Sequence, residues 1–175
     1  MQVTLIRHTS VAVPPGICYG QSDVDVSSGF ETEARQVYKK LCHQTFGVVY
    51  CSPLMRCLKL ARYCSFPDPV IDTRLIELNF GDWEMKPWAT INDPQLQLWY
   101  DNWITVIPTK GESFQQLILR VEEFLAEIKK LPHQHIAVFT HAGVIRSAAV
   151  ITGQFEVARA FDCKIGFGDS MTISI

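Results

Sequence analysis

The chain of 175 residues is long enough for one domain with a substantial core, and its hydrophobic fraction of 47% and charged fraction of 19% are typical of a globular protein. Its net charge of −2 argues against the broad basic surface that binds nucleic acid or anionic membranes, so we expect neither partner. The N-terminus does not read as a signal peptide, and no apolar run approaches about 20 residues, so we predict no membrane span and a cytoplasmic location.

The six cysteines are irregularly spaced and include no C-x-x-C pair, which argues against a zinc site. Without a secretion signal we expect them to stay reduced and to pack as small apolar residues. They are Cys18, Cys42, Cys51, Cys57, Cys64 and Cys163.

Short apolar runs and helical patterns alternate along the chain. The runs Val3–Ile6, Gly47–Cys51 and Ile136–Thr140 predict strands buried on both faces, and Met171–Ile175 predicts an edge strand. Between the strands, apolar residues recur at the spacing of one helix face, from position 34 to 42 and again from 114 to 131. This alternation predicts an α/β sandwich with a mainly parallel sheet.

Three sequence signals mark helix ends. Ser113 and Gln116 fit a capping box at the start of the helix that follows them. Ser52-Pro53 fits the start of another helix, because serine caps well and proline suits the first helical position. Gly153 fits the end of a helix that begins near Gly143.

The stretch from Met85 to Pro108 breaks the alternation and is rich in tryptophan. We interpret residues 85–108 as an insertion that covers a pocket. Trp83, Trp88, Trp99 and Trp103 carry faces on which an aromatic base could stack. For most of them, however, we expect a role in the small core of the insertion itself.

Basic and imidazole side chains follow each of the three buried strands. Arg7 and His8 come after the first strand, Arg56 lies in the first turn of the helix after the second, and His141 follows the third. Because ligands bind beyond the carboxyl ends of parallel strands, we expect these side chains to meet at one rim of the sheet. Two arginines, two histidines and two helix N-termini in one place favour an anion, and phosphate above all.

Taken singly, each of these residues has an ordinary structural explanation. An Arg-His pair at a strand end is usually a surface pair, an arginine on a helix is usually solvated, and a lone histidine is usually structural. Their joint placement at strand ends is what indicates a phosphate site.

Three blocks of sequence resemble the histidine phosphatase superfamily in order and spacing, over nearly the whole chain. They are Arg7-His8-Thr9, Ser52-Pro53 with Arg56 after it, and Thr140-His141-Ala142-Gly143. The resemblance implies one domain over residues 1–175 with a three-layer α/β/α fold like that of phosphoglycerate mutase. It also implies a phosphomonoesterase that needs no metal or other cofactor, with a small phosphomonoester as its partner.

The same resemblance assigns roles to individual residues. His8 would be the nucleophile that becomes phosphohistidine, and Arg7, Arg56 and His141 would bind the phosphoryl oxygens. Fixed cations of this kind accelerate phosphoryl transfer, because the transition state spreads negative charge over those oxygens. Thr9 and Ala142 are further candidates for contact with substrate.

The acid that protonates the departing alcohol lies, in this superfamily, between the second and third blocks. The matching residue here is Glu77, which must hold a proton to deliver it to the leaving oxygen. Asp82 and Glu84 are competing carboxylates in the same segment. We expect Glu84 to organise the loop through hydrogen bonds instead.

A narrower resemblance is to α-ribazole phosphatases. It rests on Thr9, on Cys18-Tyr-Gly-Gln-Ser-Asp23 and on Phe80-Gly-Asp-Trp-Glu-Met85. It implies removal of phosphate from α-ribazole 5′-phosphate, or from adenosylcobalamin 5′-phosphate, during assembly of the cobalamin nucleotide loop. Gln21 is then a candidate substrate contact.

Other activities remain open at this point. A broad-specificity sugar-phosphate phosphatase or a mutase-like enzyme would use the same residues, and a mutase would require a bisphosphorylated primer. A non-catalytic module that binds phospho-ligands is disfavoured because every expected catalytic group is present. A metal-dependent hydrolase would be revealed by sensitivity to EDTA. The sequence does not specify an oligomeric state.

Overall fold

Five strands form the central sheet of the computed structural model, which describes residues 1–175. They are β1 (Gln2–Arg7), β2 (Val48–Cys51), β3 (Val70–Ile71), β4 (His135–Thr140) and β5 (Ser170–Ser174). Across the sheet their order is β3-β2-β4-β1-β5. The first four run parallel to their neighbours, and β5 pairs antiparallel with β1 at the edge. The predicted mainly parallel sheet with a C-terminal edge strand is confirmed.

Helices cover both faces of this sheet. They are α1 (Phe30–Leu41), α2 (Met55–Tyr63), α3 (Pro94–Asp101), α4 (Phe114–Ile128) and α5 (Ala142–Ile151). The first two pack on one face and the last two on the other, which confirms the three-layer α/β/α prediction. No helix combines the length and apolar character that crossing a bilayer requires.

The unbroken apolar sequence of β4 supplies both layers of the core. Ile136 and Val138 pack against α4 and α5, whereas Ala137 and Phe139 pack against α1 and α2, as alternation along a strand dictates. β2 departs from the prediction, because its first three residues are only half-buried. Only β3, which has two residues, lies beyond β2 in the sheet, so the outer edge of β2 has little cover.

The helix-end predictions had different outcomes. The capping box of α4 is present, and Gly153 follows α5 with a φ of +72°, so both predictions are confirmed. The predicted helix start at Ser52-Pro53 is wrong, because α2 begins at Met55. The Ser52 hydroxyl lies 2.8 Å from Nε2 of His141, while Asp23 accepts the hydrogen bond from the Met55 N–H at 2.7 Å. A carboxylate from another loop therefore takes the capping role that the serine would have had.

The tryptophan-rich segment forms a small aromatic cluster of its own. Trp88 and Trp99 stack with ring centroids 5.8 Å apart, and both contact Trp83, which is 1% exposed. Trp103 does not join this cluster. Its ring lies 5.2 Å from Phe114 at the start of α4, so it packs on the main body of the protein. The expectation of a local core thus holds for most of the tryptophans, and the covering role of residues 85–108 stays a prediction.

All six cysteines are free, and five of them are buried. The exposed one is Cys42, next to the end of α1.

Candidate active site

His8 lies directly after β1 and is 2% exposed. Its backbone is held on both sides, since its N–H donates to the Thr140 carbonyl and its carbonyl accepts from the Gly168 N–H, each at 3.1 Å. In the side chain, Nδ1 lies 2.7 Å from the carbonyl oxygen of Thr9. A carbonyl oxygen can only accept, so Nδ1 carries the proton and Nε2 keeps a free lone pair.

The surroundings of His8 keep its imidazole neutral. Burial lowers the pKa of His8 to about 3, with a further contribution from the positive charge of Arg56. The hydrogen bond to Thr9 acts in the opposite direction and is outweighed. At neutral pH the Nε2 lone pair is therefore available to react.

Arg7 is held rigidly by two contacts from the segment before β5. Its Nη1 donates to the Ile165 carbonyl at 2.6 Å, and its guanidinium lies 4.0 Å from the centroid of the Phe167 ring. Burial lowers the pKa of Arg7 from its ordinary value, but a guanidinium remains charged at physiological pH. Its Nε is buried without a hydrogen-bond partner.

Arg56 is completely buried at the start of α2. Its Nη2 donates to the Gly20 carbonyl at 2.6 Å and its Nη1 to the Ser22 carbonyl at 2.9 Å. Its Nε, like that of Arg7, is buried and has no partner. Neither arginine forms an ion pair with a carboxylate. Two cations thus lie at the site with no carboxylate of the protein in direct contact with them.

His141 directly follows β4 and occupies the N-cap position of α5. It is fully buried, and its ring centroid lies 5.1 Å from that of His8. Its Nε2 lies 2.8 Å from the Ser52 hydroxyl and 3.5 Å from the Cys57 sulfur. Burial lowers the pKa of His141 well below its usual value, and the charge of Arg56 adds to this effect.

Glu84 holds the loop that supports Arg56. Its carboxylate accepts hydrogen bonds from the N–H groups of Gln21 at 2.8 Å, Ser22 at 2.6 Å and Phe80 at 3.1 Å, and from the Ser22 hydroxyl. Burial acts to raise the pKa of Glu84, but these hydrogen bonds outweigh it and the pKa is lowered. Glu84 therefore organises the loop, as expected. Asp82 instead pairs with Lys110 at 2.9 Å on the surface.

Glu77 lies beside the first turn of α5. Its carboxylate accepts from the Leu78 N–H at 2.9 Å and from the Gly143 N–H, so it lies close to the N-cap His141. It lines a cavity of about 70 Å³, in which Arg146 is the only basic side chain. Larger surface depressions of about 360 and 530 Å³ contain none of the predicted site residues.

The remaining predicted residues lie around the same rim. Thr9 is fully buried, and its hydroxyl has no partner. Ala142 is the first residue of α5, where backbone N–H groups have no partner within the helix. The side-chain amide of Gln21 donates to the Glu77 carbonyl at 3.1 Å, so that part of Gln21 is already engaged.

Three residues near the site were missed by sequence reasoning: Tyr19, Arg146 and Phe167. The Tyr19 ring lies 5.7 Å from the Arg56 guanidinium, and Phe167 lies beside both Arg7 and His8. For Arg146, its place in the helix directly after His141 was the one available signal. For Tyr19 and Phe167 the sequence offered no signal, because their positions depend on how two loops fold back over the sheet.

Comparison with known proteins agrees with this geometry. Residues 3–174 match the family model for the histidine phosphatase superfamily (branch 1). The adenosylcobalamin/alpha-ribazole phosphatase of Escherichia coli strain K12 is 32% identical over 154 residues, which cover 83% of this chain and 75% of that protein. Phosphoserine phosphatase 1 of Hydrogenobacter thermophilus is 26% identical over 156 residues, covering 84% of this chain and 74% of its own.

Among solved structures, the alpha-ribazole phosphatase from Shigella flexneri superposes with a TM-score of 0.89 and 27% identity. The superposition covers 100% of this chain and 91% of that one.

Proposed function

The chain belongs to the histidine phosphatase superfamily, and from this premise we propose that it hydrolyses a phosphomonoester through a phosphohistidine on His8, with α-ribazole 5′-phosphate as its substrate. Adenosylcobalamin 5′-phosphate, which bears the same nucleotide, is the second substrate of this proposal. The observation that carries the proposal is a pair of arginines, neither of them in an ion pair with a carboxylate, beside a neutral, buried His8.

Phosphate binding follows from the unpartnered donors. Burying a charge without a counter-ion is costly, and an unsatisfied buried donor adds to that cost. A phosphate dianion beside Arg7, Arg56 and Thr9 would supply both the charge and the acceptor oxygens that these groups lack. The first-turn N–H groups of α5, starting at Ala142, favour an anion in the same place.

The first chemical step uses the lone pair on Nε2 of His8. That nitrogen attacks phosphorus, an N–P bond forms, and the P–O bond to the alcohol breaks. The departing oxygen takes a proton from Glu77. Arg7, Arg56 and His141 hold the equatorial phosphoryl oxygens while charge develops on them.

The second step restores the protein. A water molecule attacks phosphorus and gives one proton to Glu77, and the N–P bond breaks with return of its electron pair to Nε2. Inorganic phosphate leaves, and both His8 and Glu77 are back in their starting forms. The hydrogen bond from Nδ1 to Thr9 keeps Nε2 directed at phosphorus in both steps.

The substrate part of the proposal rests on relatives. The matched proteins from Escherichia coli and Shigella flexneri bear the name α-ribazole phosphatase, and the likeness covers most of both chains. The aromatic side chains of Tyr19, Phe161 and Phe167 near the site suit a leaving group that carries a planar base.

The test is a comparison of wild type with His8→Ala. Rapid quench of wild type with ³²P-labelled substrate into alkaline detergent should trap a phosphoprotein that is stable in base and loses its label in acid, and His8→Ala should give neither this adduct nor turnover. His43→Ala, at an exposed histidine beyond α1, is the matched control and should behave as wild type. Near wild-type kcat in His8→Ala would contradict the nucleophile assignment. A kcat/KM for α-ribazole 5′-phosphate at least about tenfold above that for phosphoserine is expected, and the reverse order would contradict the substrate.

A further inference from the structure

A third arginine, Arg146, lines the same cavity as Glu77. It lies on α5, and its Nε donates to the Cys163 carbonyl at 3.1 Å. Its guanidinium lies 4.9 Å from the centroid of the Phe161 ring. The two Nη atoms have no hydrogen-bond partner in the protein, and no carboxylate pairs with them.

The segment 161–167, here called the strap, holds Arg146 and Arg7 in the same manner. Each guanidinium receives one aromatic ring and one backbone carbonyl from it. For Arg146 these are Phe161 and Cys163, and for Arg7 they are Ile165 and Phe167. Alternate residues of one short segment therefore fix two cations near each other. The charge of Arg146 acts on Arg7 and helps to lower its pKa, after the larger effect of burial.

The cavity that Arg146 lines also contains Glu77, the proposed proton donor. Its other walls include Tyr19, Phe80, Phe114 and Phe161. Its volume of about 70 Å³ is well below the roughly 300–1,000 Å³ of a complete ligand pocket. It therefore has room only for the atoms nearest the scissile oxygen, and the rest of the leaving group would extend over the exposed ring of Phe161.

We propose that Arg146 determines specificity by donating hydrogen bonds from its Nη atoms to an oxygen on the leaving alcohol, close to the scissile bond. This rests on the proposed function, because it takes Glu77 to mark the leaving-group side. Arginine suits the role, since its planar fork binds paired oxygen atoms and its orientation is already fixed by the strap. The oxygen belongs either to a neutral sugar hydroxyl, as in a riboside, or to a carboxylate, as in phosphoserine.

The experiment compares three esters in Arg146→Met, which keeps an unbranched stem and removes the charge. Phenyl phosphate has no oxygen on its leaving group beyond the scissile one, whereas α-ribazole 5′-phosphate has hydroxyls and O-phosphoserine has a carboxylate. We expect kcat/KM to fall by roughly 10- to 100-fold for an oxygen-bearing ester, mainly through KM, and to change little for phenyl phosphate. A larger loss with the riboside identifies the hydroxyl source, and a larger loss with phosphoserine identifies the carboxylate. Arg146→Lys should recover part of the loss.

Arg159→Met is the matched control, since Arg159 is exposed and pairs only with Asp162. Arg159→Met should leave kcat/KM for all three esters unchanged. If kcat/KM in Arg146→Met falls equally for all three esters, or falls for none, the specificity role of Arg146 is overturned and the proposed function still stands. Failure of the wild-type protein to hydrolyse any of the esters would overturn the proposed function and the Arg146 role together.

Discussion

The carboxylate of Glu77 accepts hydrogen bonds from the backbone N–H of Gly143, at 3.1 Å to Oε1 and 3.2 Å to Oε2. Gly143 is the second residue of α5, two positions after His141. A Cβ atom at this position would lie 2.2 Å from Oε1 of Glu77 and 3.0 Å from Leu117. The absence of a side chain at Gly143 therefore lets the proposed acid approach the turn that carries His141.

Gly143→Ala should displace Glu77 and slow the hydrolysis of an alkyl ester. A misplacement of about 1 Å can cost roughly 100-fold in rate, and we expect a loss of that order in kcat for α-ribazole 5′-phosphate. The loss with p-nitrophenyl phosphate should be much smaller, because its leaving group departs without a proton. Steady-state kinetics with both esters measure the difference.

The control for this change is Gly29→Ala. Gly29 precedes α1, and a Cβ there would meet nothing closer than 3.3 Å, the end of the Glu33 side chain. Because alanine has a higher helix propensity than glycine, Gly143→Ala should not destabilise α5 itself. Unchanged kinetics with both esters in Gly143→Ala would show that Glu77 is not held where the reaction needs it.

The buried state of His8 predicts a loss of stability in acid. In the unfolded chain its imidazole titrates near 6.5, whereas in the folded protein its pKa is about 3. Between these values the unfolded chain binds a proton that the folded protein does not, so the free energy of unfolding falls as pH is lowered from 6.5 toward 3. Titration of His8 lowers the free energy of unfolding by about 1.4 kcal/mol for each pH unit in this range, and it has no effect on that free energy above pH 6.5.

Urea denaturation of wild type and His8→Gln between pH 7 and pH 4 tests this. His8→Gln removes one titrating group, so its free energy of unfolding should depend less steeply on pH than that of wild type. His43→Gln serves as the exposed control. Parallel pH dependences for wild type and His8→Gln would mean that His8 is not buried in its neutral form.

Chelation should leave activity unchanged, and vanadate should inhibit strongly. Arg7 and Arg56 already supply positive charge where a metal ion would otherwise stabilise the transition state. Vanadate adopts the five-coordinate geometry of phosphoryl transfer, and transition-state analogues bind about 10²-fold or more tighter than substrates. Activity assays after dialysis against EDTA, with and without orthovanadate, measure both effects. Loss of activity in EDTA that Mg²⁺ or Zn²⁺ restores would contradict the metal-free mechanism.

The convergence of Arg7, Arg56 and His141 was predictable, because strand ends are read directly from apolar runs and parallel strands end at one edge of the sheet. The start of α2 was not, because Asp23 caps it from a distant part of the chain and frees Ser52 to contact His141. Contacts of that kind depend on how loops fold back, and no local sequence pattern encodes them.

The direction of the Arg146 side chain is a second feature that no local sequence pattern encodes. Arg146 follows His141 by five residues, and its direction is decided by the strap contacts with Phe161 and Cys163. The strap has no sequence signature of its own. Its position follows from the antiparallel pairing of β5 with β1, which brings residues before Ser170 over the site.

Glu77→Gln should separate proton delivery from phosphate binding. The substitution keeps the size of the side chain but removes the transferable proton. A ribose alkoxide is a poor leaving group, whereas p-nitrophenolate departs almost unaided. We therefore expect kcat for α-ribazole 5′-phosphate to fall by about 10²–10⁴-fold, the range attributed to general acid catalysis, with a much smaller fall for the nitrophenyl ester.

Glu84→Gln and Asp82→Asn are the controls for this prediction, and the structure makes them unequal. Glu84→Gln weakens the hydrogen bonds that hold the Gln21–Ser22 loop, and that loop supplies a carbonyl partner to Arg56. It should lower kcat/KM for both esters by similar factors and reduce stability, because it acts through phosphate binding. Asp82→Asn removes only a surface ion pair with Lys110, so it should change neither kcat/KM for the two esters nor the stability of the protein. Equal losses on both esters in Glu77→Gln would mean that Glu77 positions phosphate, and a loss at Glu84 that depends on the leaving group would move the proton donor there.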